Sequence, residues 1–496
     1  MEENGAMDLR EYGLTTVCNI YQIDPIGNYN IEWVDAKELV VPERLDLISK
    51  IIYTDYCYNQ REGEFAIEFY KRDLEVCTMG TFNEYGNETK NKFKDYCNVF
   101  KVLIDDIVTN GFREEGVIPV DCNGIIMDGA HRTAIAAFLG IKVPIIRFDV
   151  SSPAMGAELY RKRLASNADI EFALTEMCKW NDNLYLCCMW PAADSTKRKM
   201  AVDILKDEAD LLYNKVIEMS MNGLSNLIPQ IYLSHEWVGS IDNRFISAAP
   251  KIEGVSGNGN LEVFLFRSDS LVHVKQIKDQ MRSIFGIDEH SLHITDYPDE
   301  TLFIAQMLLN KNTVDFLNKA NPFYYVHLNR RIYQYRESIK EVGGNINDYL
   351  IDSSSIMGLY GMRKPDDLDY LFVGKSEVDF NDKSITNHIG EVEYYGNSVS
   401  DLVFNPVNYI YYAGLKIISL QTLVQFKKNR NTVKDREDIA LINDYLENKH
   451  MIRRIVITMV QTLRRKSRNA MYSFLRKLPG GGYEKVRSLY HLLKRK

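Results

Sequence analysis

The chain has 496 residues, of which 45% are hydrophobic and 26% charged, so it is long enough for two to four domains with sizeable cores. Its net charge is −8, but residues 451–496 carry thirteen Lys and Arg and one acid, Glu484, a balance of +12 that leaves −20 for the first 450 residues. This acidic body argues against nucleic-acid binding, and no apolar run reaches the roughly 18 residues that span a bilayer.

The start of the sequence lacks the charged and apolar segments of a signal peptide. The eight cysteines are scattered and form no C-x-x-C pair. Together these features predict a cytoplasmic protein whose cysteines are buried, reduced thiols.

Strands and helices alternate in the first 150 residues. Residues 31–34 alternate as a half-buried strand does, and apolar positions at helical spacing predict a long helix over about 88–110. A compact unit follows, with a strand at 117–120, a turn at Asn123-Gly124, a returning strand at 125–127, a helix over 129–139 and a strand from 143.

The turn into the helix over 129–139 has the composition of an anion-binding loop. Its sequence is Asp128-Gly129-Ala130-His131-Arg132. Glycine allows close backbone approach, the first N–H groups of a helix are unpaired, and a planar guanidinium can hold phosphate oxygens. In the alternative interpretation, Asp128 caps the helix and Arg132 pairs with a surface acid.

Residues 116–143, GVIPVDCNGIIMDGAHRTAIAAFLGIKV, resemble the core of the ParB/sulfiredoxin-like superfamily. The resemblance covers about residues 31–150. It implies that the phosphates of a nucleotide such as ATP or CTP are contacted by Gly129, Ala130, His131 and Arg132. Sulfiredoxins carry a reactive cysteine where this chain has Ala130, which argues against that activity. ParB proteins add a second loop arginine and a helix-turn-helix domain, and this sequence shows neither.

A third branch of this superfamily phosphorylates free serine and uses a glutamate upstream of the loop as general base. Glu43, in Val41-Pro42-Glu43-Arg44, stands where that glutamate would lie. The resemblance therefore implies a catalytic role for Glu43, and the alternative is a solvated surface side chain.

The middle of the chain carries weaker signals. Residues 151–240 are predicted to be mostly helical, 261–266 to form a strand and about 270–285 a helix. Two segments, around 222–240 and 293–320, resemble blocks of uncharacterised proteins from surface-polysaccharide biosynthesis clusters. His290 and His293 are three residues apart without a clear helix, so we interpret them as core or surface side chains rather than metal ligands.

A second candidate site lies in residues 349–374, YLIDSSSIMGLYGMRKPDDLDYLFVG. We predict a short strand, a helix over 356–360 and a strand over 367–373, with the serines Ser353, Ser354 and Ser355 placed to hold phosphate at the helix start. Residues two apart on a strand share a face, so Asp367 and Asp369 point the same way. Two such carboxylates suit Mg²⁺, which also accepts phosphate oxygens as ligands. Exposed acids on an edge strand are the alternative.

This order of serines, helix, turn and D-x-D strand resembles the nucleotidyltransferase fold of DNA polymerase β and its small relatives, over about residues 300–445. The resemblance implies that Asp367 and Asp369 are catalytic and bind the metal. Residues 423–442, LVQFKKNRNTVKDREDIALI, are similar to a segment of such relatives and add Lys427 and Arg430 to the nucleotide contacts. The third carboxylate stays open between Asp379, Glu391 and Glu393; without one, the domain would bind a ligand without transfer.

The basic tail carries two apolar stripes at helical spacing, over 452–463 and 486–493, separated by Pro479-Gly480-Gly481-Gly482. A basic amphipathic helix is typical of a membrane-surface element. We expect residues 451–496 to bind an anionic membrane surface. Docking onto the acidic body and nonspecific nucleic-acid contact are the alternatives.

The sequence thus predicts a multidomain α+β and α/β protein. Its parts are a ParB/sulfiredoxin-like phosphate-binding domain at 1–150, a mixed α/β middle at 151–298, a nucleotidyltransferase-like domain at 299–448 and a basic helical tail at 449–496. The expected function is nucleotide-dependent, Mg²⁺-assisted phosphoryl or nucleotidyl transfer to a small hydroxylated acceptor or glycan precursor at the inner membrane face. The alternatives are a ParB-like DNA-binding regulator and a non-catalytic nucleotide-sensing scaffold.

Overall fold

A computed structural model describes residues 6–83, 90–380, 382–447, 456–460, 463, 466, 467 and 470. Over these ranges the chain is a mixed α/β protein with sheets of two, three, four and five strands. No helix in the described part is both long and apolar enough to cross a membrane. All eight cysteines are free, but only four are buried and Cys122 is exposed, so the prediction of buried thiols holds for half of them.

The N-terminal region has a two-stranded sheet, β1-β2, and a three-stranded sheet, β3-β5-β4, with helices around them. Its elements are β1 (Met7–Asp8), α1 (Thr15–Tyr21), β2 (Ile26–Gly27), β3 (Ile31–Asp35), α2 (Asp46–Tyr58), α3 (Phe65–Cys77), α4 (Phe93–Asn110), β4 (Ile118–Val120), α5 (Ala130–Leu139) and β5 (Lys142–Arg147). β5 is central, parallel to β4 and antiparallel to β3. The predicted strand at 125–127 is reduced to one bridge, between Val120 and Ile126.

The middle region is built on a four-stranded antiparallel sheet. Its elements are α6 (Ala157–Lys162), α7 (Asn167–Met177), β6 (Leu184–Met189), α8 (Arg198–Glu208), β7 (Asp210–Ile217), α9 (Met221–Ile231), α10 (Ala249–Val255), β8 (Leu261–Arg267), α11 (Leu271–Phe285) and β9 (Leu292–Ile294). The strand order is β7-β8-β6-β9, the βαββαβ connectivity of ferredoxin-like domains with α9 and α10 inserted. The prediction that 151–240 is mostly helical was wrong at β6 and β7, because β6 is buried on both faces and lacks strand alternation.

The C-terminal region holds the five-stranded sheet. Its elements are α12 (Pro298–Leu308), α13 (Lys311–Lys319), α14 (Val326–Glu341), β10 (Tyr349–Asp352), α15 (Ser355–Leu359), β11 (Leu368–Phe372), β12 (Ile385–Asn387), α16 (Val399–Phe404), β13 (Tyr409–Tyr412), β14 (Leu415–Ile418), α17 (Leu420–Arg430) and α18 (Val433–Leu446). The strand order is β12-β11-β10-β14-β13, with β10 antiparallel to β11 and parallel to β14.

The largest buried cluster runs through all three regions, from Ala36 near the N-terminus to Ile442 in α18. A second cluster fills the space between the four-stranded sheet and the helices α8 and α11. Burial of this apolar surface holds the strand ends in place, and both candidate sites lie at such ends.

Candidate functional site

The predicted D-x-D segment lies at the start of β11, where Asp367 directly precedes the first strand residue. The register between β10 and β11 sets Asp352, the last residue of β10, opposite Asp369. Directly opposed residues have Cβ atoms roughly 4.5–5.5 Å apart. The acid that pairing brings beside Asp369 is therefore Asp352. Sequence reasoning missed it as a third acid; the signal was that Asp352 or Ser353, depending on the alignment, stands where the nucleotidyltransferases that this segment resembles usually have a glycine before the serine.

Asp352 is fully buried, and hydrogen bonds reach both of its oxygens. Nδ1 of His388 lies 2.7 Å from Oδ2, while the Tyr395 hydroxyl and the Ser353 N–H donate to Oδ1. The backbone N–H of His388 donates to the Tyr370 carbonyl at 2.8 Å, which fixes the start of the His388 side chain. Asp352 therefore holds the imidazole in one orientation at the end of β12.

The pKa values of this cluster reflect concentrated negative charge. Burial raises the pKa of Asp369 to about 6, and the charge of Asp367 adds to that shift. Burial alone would lower the pKa of His388, but the hydrogen bond to Asp352 and the charges of Asp352, Asp369 and Glu391 raise it above its usual value. The charges of two aspartates and Glu391 thus act on one histidine, Asp367 acts on Asp369, and a bound cation would neutralise the surplus charge.

The side chains of this cluster could hold Mg²⁺ only together with oxygen atoms of a bound substrate. Within the described ranges, no three His, Cys, Asp or Glu side chains form a group that could hold a metal ion. Both oxygens of Asp352 are already engaged, which leaves Asp367 and Asp369 as the available carboxylates. Mg²⁺ is commonly held by one or two carboxylates together with substrate phosphates, so these two residues are enough protein ligands.

The three predicted serines precede or begin α15, which is only five residues long. Ser353 has φ +62° and is therefore in the left-handed region, where it bends the chain out of β10. Ser354 and Ser355 are buried, and the Ser355 hydroxyl has no hydrogen-bond partner among the described residues. Such an unpaired buried hydroxyl is costly in a folded protein, which is consistent with a missing ligand atom.

Lys427 and Arg430, predicted as phosphate contacts, belong to ion pairs between α17 and α18. Lys427 Nζ lies 3.3 Å from a carboxylate oxygen of Asp435 and 2.8 Å from one of Asp438, and all three side chains are buried. Lys427 is therefore committed to the fold. Arg430 pairs with Asp435 at 2.8 Å and with Glu391 at 3.2 Å, and its side chain is 22% exposed. Of the two, only Arg430 has a surface that a phosphate can reach.

The N-terminal loop has the predicted backbone. Gly129 is the residue before α5 and has φ +84°, and a Cβ there would lie 2.6 Å from Ile118 Cδ1, so glycine is required. The helix ends at Gly140, as the sequence predicted. Because Gly129 occupies the cap position, Asp128 is exposed beside the helix and does not cap it.

The side chains of this loop are largely engaged. His131 Nε2 lies 2.7 Å from the Tyr70 hydroxyl, and burial lowers the pKa of His131 well below its usual value, so it is neutral. Arg132 NH1 donates to the Gly116 carbonyl at 2.7 Å. Arg132 also lines a cavity of about 500 Å³ beside Arg113, and it is the loop side chain best placed to meet an anion.

Behind this loop lies a buried chain of charges that sequence reasoning did not find. Lys50 Nζ is 3.1 Å from Asp46 and 3.0 Å from Asp73, while Arg44 Nε is 2.8 Å from Asp46. The Tyr160 hydroxyl donates to the other oxygen of Asp73. The available signal was the placement of Asp46 and Lys50 four residues apart in the first turns of α2.

The side chain of Glu43 is engaged in an ion pair. Its carboxylate forms two bonds with the Arg267 guanidinium in β8, at 2.6 and 3.0 Å, and Arg267 also pairs with Asp210. This ion pair joins the N-terminal region to the four-stranded sheet. Because Arg267 holds both oxygens of this carboxylate, the structure favours a structural role for Glu43.

Comparisons of the chain with protein-family models, with curated proteins and with solved structures found no match. The function proposed below therefore depends on the arrangement of these side chains and on the two resemblances noted in the sequence.

Proposed function

We propose that this protein is a nucleotide-dependent transferase whose C-terminal region is a nucleotidyltransferase-like module. The observation that carries the proposal is the meeting of Asp352, Asp367 and Asp369 at one end of the antiparallel pair β10 and β11. The reaction is Mg²⁺-assisted phosphoryl or nucleotidyl transfer from ATP or CTP. The acceptor is a small hydroxylated molecule or a glycan precursor, as in surface-polysaccharide biosynthesis.

Transfer of this kind needs positioning and charge neutralisation more than covalent chemistry from the protein. Asp367 and Asp369 would hold Mg²⁺, which supplies positive charge to the phosphates when bound. The unpaired hydroxyl of Ser355 and the part-exposed guanidinium of Arg430 are donors for phosphate oxygens. His388, oriented by Asp352, is available to take up or release a proton beside them.

The N-terminal region, on its resemblance to the ParB/sulfiredoxin-like superfamily, adds a second phosphate site. Arg132 is its main contact in this proposal, since it lines a cavity and His131 is neutral. In this proposal Gly129, which has no side chain, lets the phosphate come close to the backbone of the loop.

Labelled nucleotides, Mg²⁺ and a panel of sugars and sugar phosphates test the transferase. We expect Asp367→Asn and Asp369→Asn each to lower transfer by about 10²-fold or more, because removing one group that stabilises the transferring phosphate costs this much. Asp203→Asn, at an exposed acid of α8 outside the site, is the matched control and should retain full activity. Full activity in both site variants would place the chemistry elsewhere.

A non-catalytic nucleotide sensor is the second candidate, favoured by the lack of a three-ligand metal group in the described part of the chain. This alternative predicts Mg²⁺-dependent nucleotide binding that Asp369→Asn abolishes, without turnover of any nucleotide. Single-turnover assays on the saturated complex distinguish the two functions.

We further propose that residues 451–496 bring the protein to an anionic membrane surface as a peripheral protein. Of the first apolar stripe, Val456, Met459 and Leu463 are 52%, 61% and 56% exposed, so these three side chains are not packed against the body. The second stripe, over 486–493, lies outside the described residues. Each basic residue near such a surface contributes about 1 kcal/mol, and salt screens this attraction.

Sedimentation with vesicles of anionic phospholipid tests the role of the tail. The full chain should pellet at low salt and less at high salt, and a chain truncated after residue 450 should stay in solution. Equal pelleting of the two proteins would contradict the membrane role, and vesicles of neutral lipid control for apolar adhesion.

A further inference from the structure

A cavity of about 1360 Å³ lies between the four-stranded sheet region and the C-terminal region. Its walls come from α9, α11, α12 and α14 and from the turn between β13 and β14. Asn347, which precedes β10, also lines it, whereas Asp352 ends that strand. The cavity therefore meets the opposite end of β10 from the aspartate cluster and is a separate site.

The two distinctive segments of the middle sequence meet at this cavity. The segment 222–240 contributes Tyr232, His235 and Trp237, and the segment 293–320 contributes His293 and Glu300. Neither segment has a part in the transfer chemistry proposed above. Their convergence indicates that they share a function of their own.

Hydrogen bonds organise one wall of the cavity. Nε2 of the buried His293 lies 2.9 Å from Glu300 Oε1, and its Nδ1 lies 3.2 Å from the Tyr232 hydroxyl. The second oxygen of Glu300 accepts the N–H of Asp296, whose carboxylate pairs with Lys278 at 3.2 Å. The carboxylates of Glu300 and Asp296 are thus already partnered, and the exposed Glu289 is a cavity acid whose charge acts on Lys251 and Arg282.

Two cations of the cavity are bound to backbone carbonyls. Lys251 is 8% exposed, and its ammonium donates to the Glu289 carbonyl at 2.7 Å. Arg282 donates to the Leu292 carbonyl at 3.2 Å, and its buried Nε has no partner among the described residues. Burial lowers the pKa of Lys251 to about 8, the charge of Glu289 opposes this shift, and the positive charge of Arg282 adds to it. A buried cation of this kind is stabilised by an anionic ligand.

Aromatic side chains stand at the mouth of the same cavity. Trp237 is 43% exposed and Tyr297 is 66% exposed, although both line the cavity. Exposed aromatic faces pack well against the C–H faces of sugar rings, while hydroxyls of the sugar remain hydrated or bind polar side chains. The volume is sufficient for a ring-containing ligand of ordinary size, since small-molecule sites are commonly 300–1,000 Å³.

We propose that this cavity binds a phosphorylated saccharide, with its phosphate at Lys251 and Arg282 and its sugar ring against Trp237 and Tyr297. This site is independent of the proposed transfer at Asp367 and Asp369. The transferase proposal gives the middle region no role, and this site assigns a ligand to that region.

Titration calorimetry of the full chain with glucose 1-phosphate tests the proposal, with glucose, inorganic phosphate and ATP as comparison ligands. We expect Lys251→Met and Arg282→Met each to weaken binding of glucose 1-phosphate by about 10- to 100-fold, because a charge-assisted bond is lost. Trp237→Ala should weaken it by about 3- to 10-fold. Lys275→Met, exposed on α11, is the matched control and should bind as the native chain does.

Titrations with glucose 1-phosphate alone contain neither Mg²⁺ nor nucleotide, so failure of the transferase proposal would not change the binding expected here. Circular dichroism identifies any variant that does not fold. If Lys251→Met and Arg282→Met do not fold, Trp237→Ala at the cavity mouth tests the proposal instead. No binding of glucose 1-phosphate, or equal binding by Lys251→Met and the native chain, would overturn the proposal. Equal affinity for inorganic phosphate, or displacement of glucose 1-phosphate by ATP, would overturn its saccharide specificity.

Discussion

The N-terminal loop and the C-terminal aspartate cluster were both predicted as phosphate-handling sites, yet their charges are arranged in opposite ways. Around the loop, Lys50 lies between Asp46 and Asp73, and Arg132 is bonded to a carbonyl. At the cluster, the pKa of Asp369 is raised to about 6 because burial and a neighbouring negative charge act together. Each of these acids in the first region has Lys50 beside it, although burial still raises the pKa of Asp73, whereas the second region leaves a charge that a ligand would balance.

Whether a buried charge has a partner distinguishes residues that stabilise the fold from residues that bind a ligand, which motif resemblance alone does not. Removing one partner of a buried ion pair leaves an uncompensated charge and destabilises the folded state, whereas an unbalanced charge already raises the free energy of that state and persists where it serves binding or catalysis. Substitutions in the two regions should therefore change stability in opposite directions.

The largest effect is expected from Lys50→Met, which breaks the buried pairs and leaves Asp46 and Asp73 without their cation. Lys50 is 3% exposed, and its Nζ lies 3.1 and 3.0 Å from these acids. Removing one partner of a buried ion pair costs about 3–5 kcal/mol, so the urea midpoint of the N-terminal region should fall sharply. Lys71→Met is the control, because the Lys71 side chain is 38% exposed and its ion pair with Glu68 is long, at 4.0 Å. Equal midpoints for the two variants would contradict the structural role of the charge chain.

Much of the local structure could be predicted from sequence, since it depends on neighbours along the chain. The helix 93–110, the loop at Gly129 and the strand 368–372 follow from apolar spacing and glycine positions, and each lies close to its predicted bounds. By contrast, β6 has six buried residues in a row, so its hydrophobic pattern has no period that distinguishes a strand from a buried helix.

The partners of charged side chains could not be predicted, because they depend on tertiary contacts. Glu43 pairs with Arg267, 224 residues further along the chain, and Lys427 pairs with acids of the following helix. Asp352 reaches Asp369 only through the register of β10 and β11. Sequence patterns predicted which residue types meet phosphate but not which of them remain available.

Arg132→Ala is the next largest change and tests whether the N-terminal loop still binds phosphate. We expect the affinity of the full chain for ATP or CTP, measured by calorimetry in the presence of EDTA, to fall by about 1.5–3 kcal/mol, since a charge-assisted contact is lost. EDTA removes Mg²⁺ and so prevents binding at the proposed Mg²⁺-dependent site. The heat of binding then reports on the loop alone. Arg147→Ala, on an exposed arginine of β5, is the control. Reduced stability with unchanged affinity would make Arg132 purely structural and complete the contrast between the regions.

The smallest expected effect is a gain in stability from Asp369→Asn at about pH 7.5. The folded-state pKa of Asp369 is about 6, against an ordinary value of 3.8. Between these pH values the folded protein holds a proton that the unfolded chain has released, so the stability contributed by protonated Asp369 is lost as pH rises through 6. The uncharged amide avoids this loss. We expect a gain of about 1–2 kcal/mol at neutral pH and almost none near pH 4.

Thermal denaturation at several pH values, with and without Mg²⁺, measures this gain. Mg²⁺ should stabilise the native chain in the presence of nucleotide, because a ligand that binds the folded state shifts the equilibrium toward it. Asp369→Asn should lose this response while it gains stability without ligand. A variant that is less stable than the native chain at neutral pH would show that Asp369 is satisfied within the fold, as Asp46 and Asp73 are. The two regions would then be alike, and the cluster would lose the feature that distinguishes it as a ligand site.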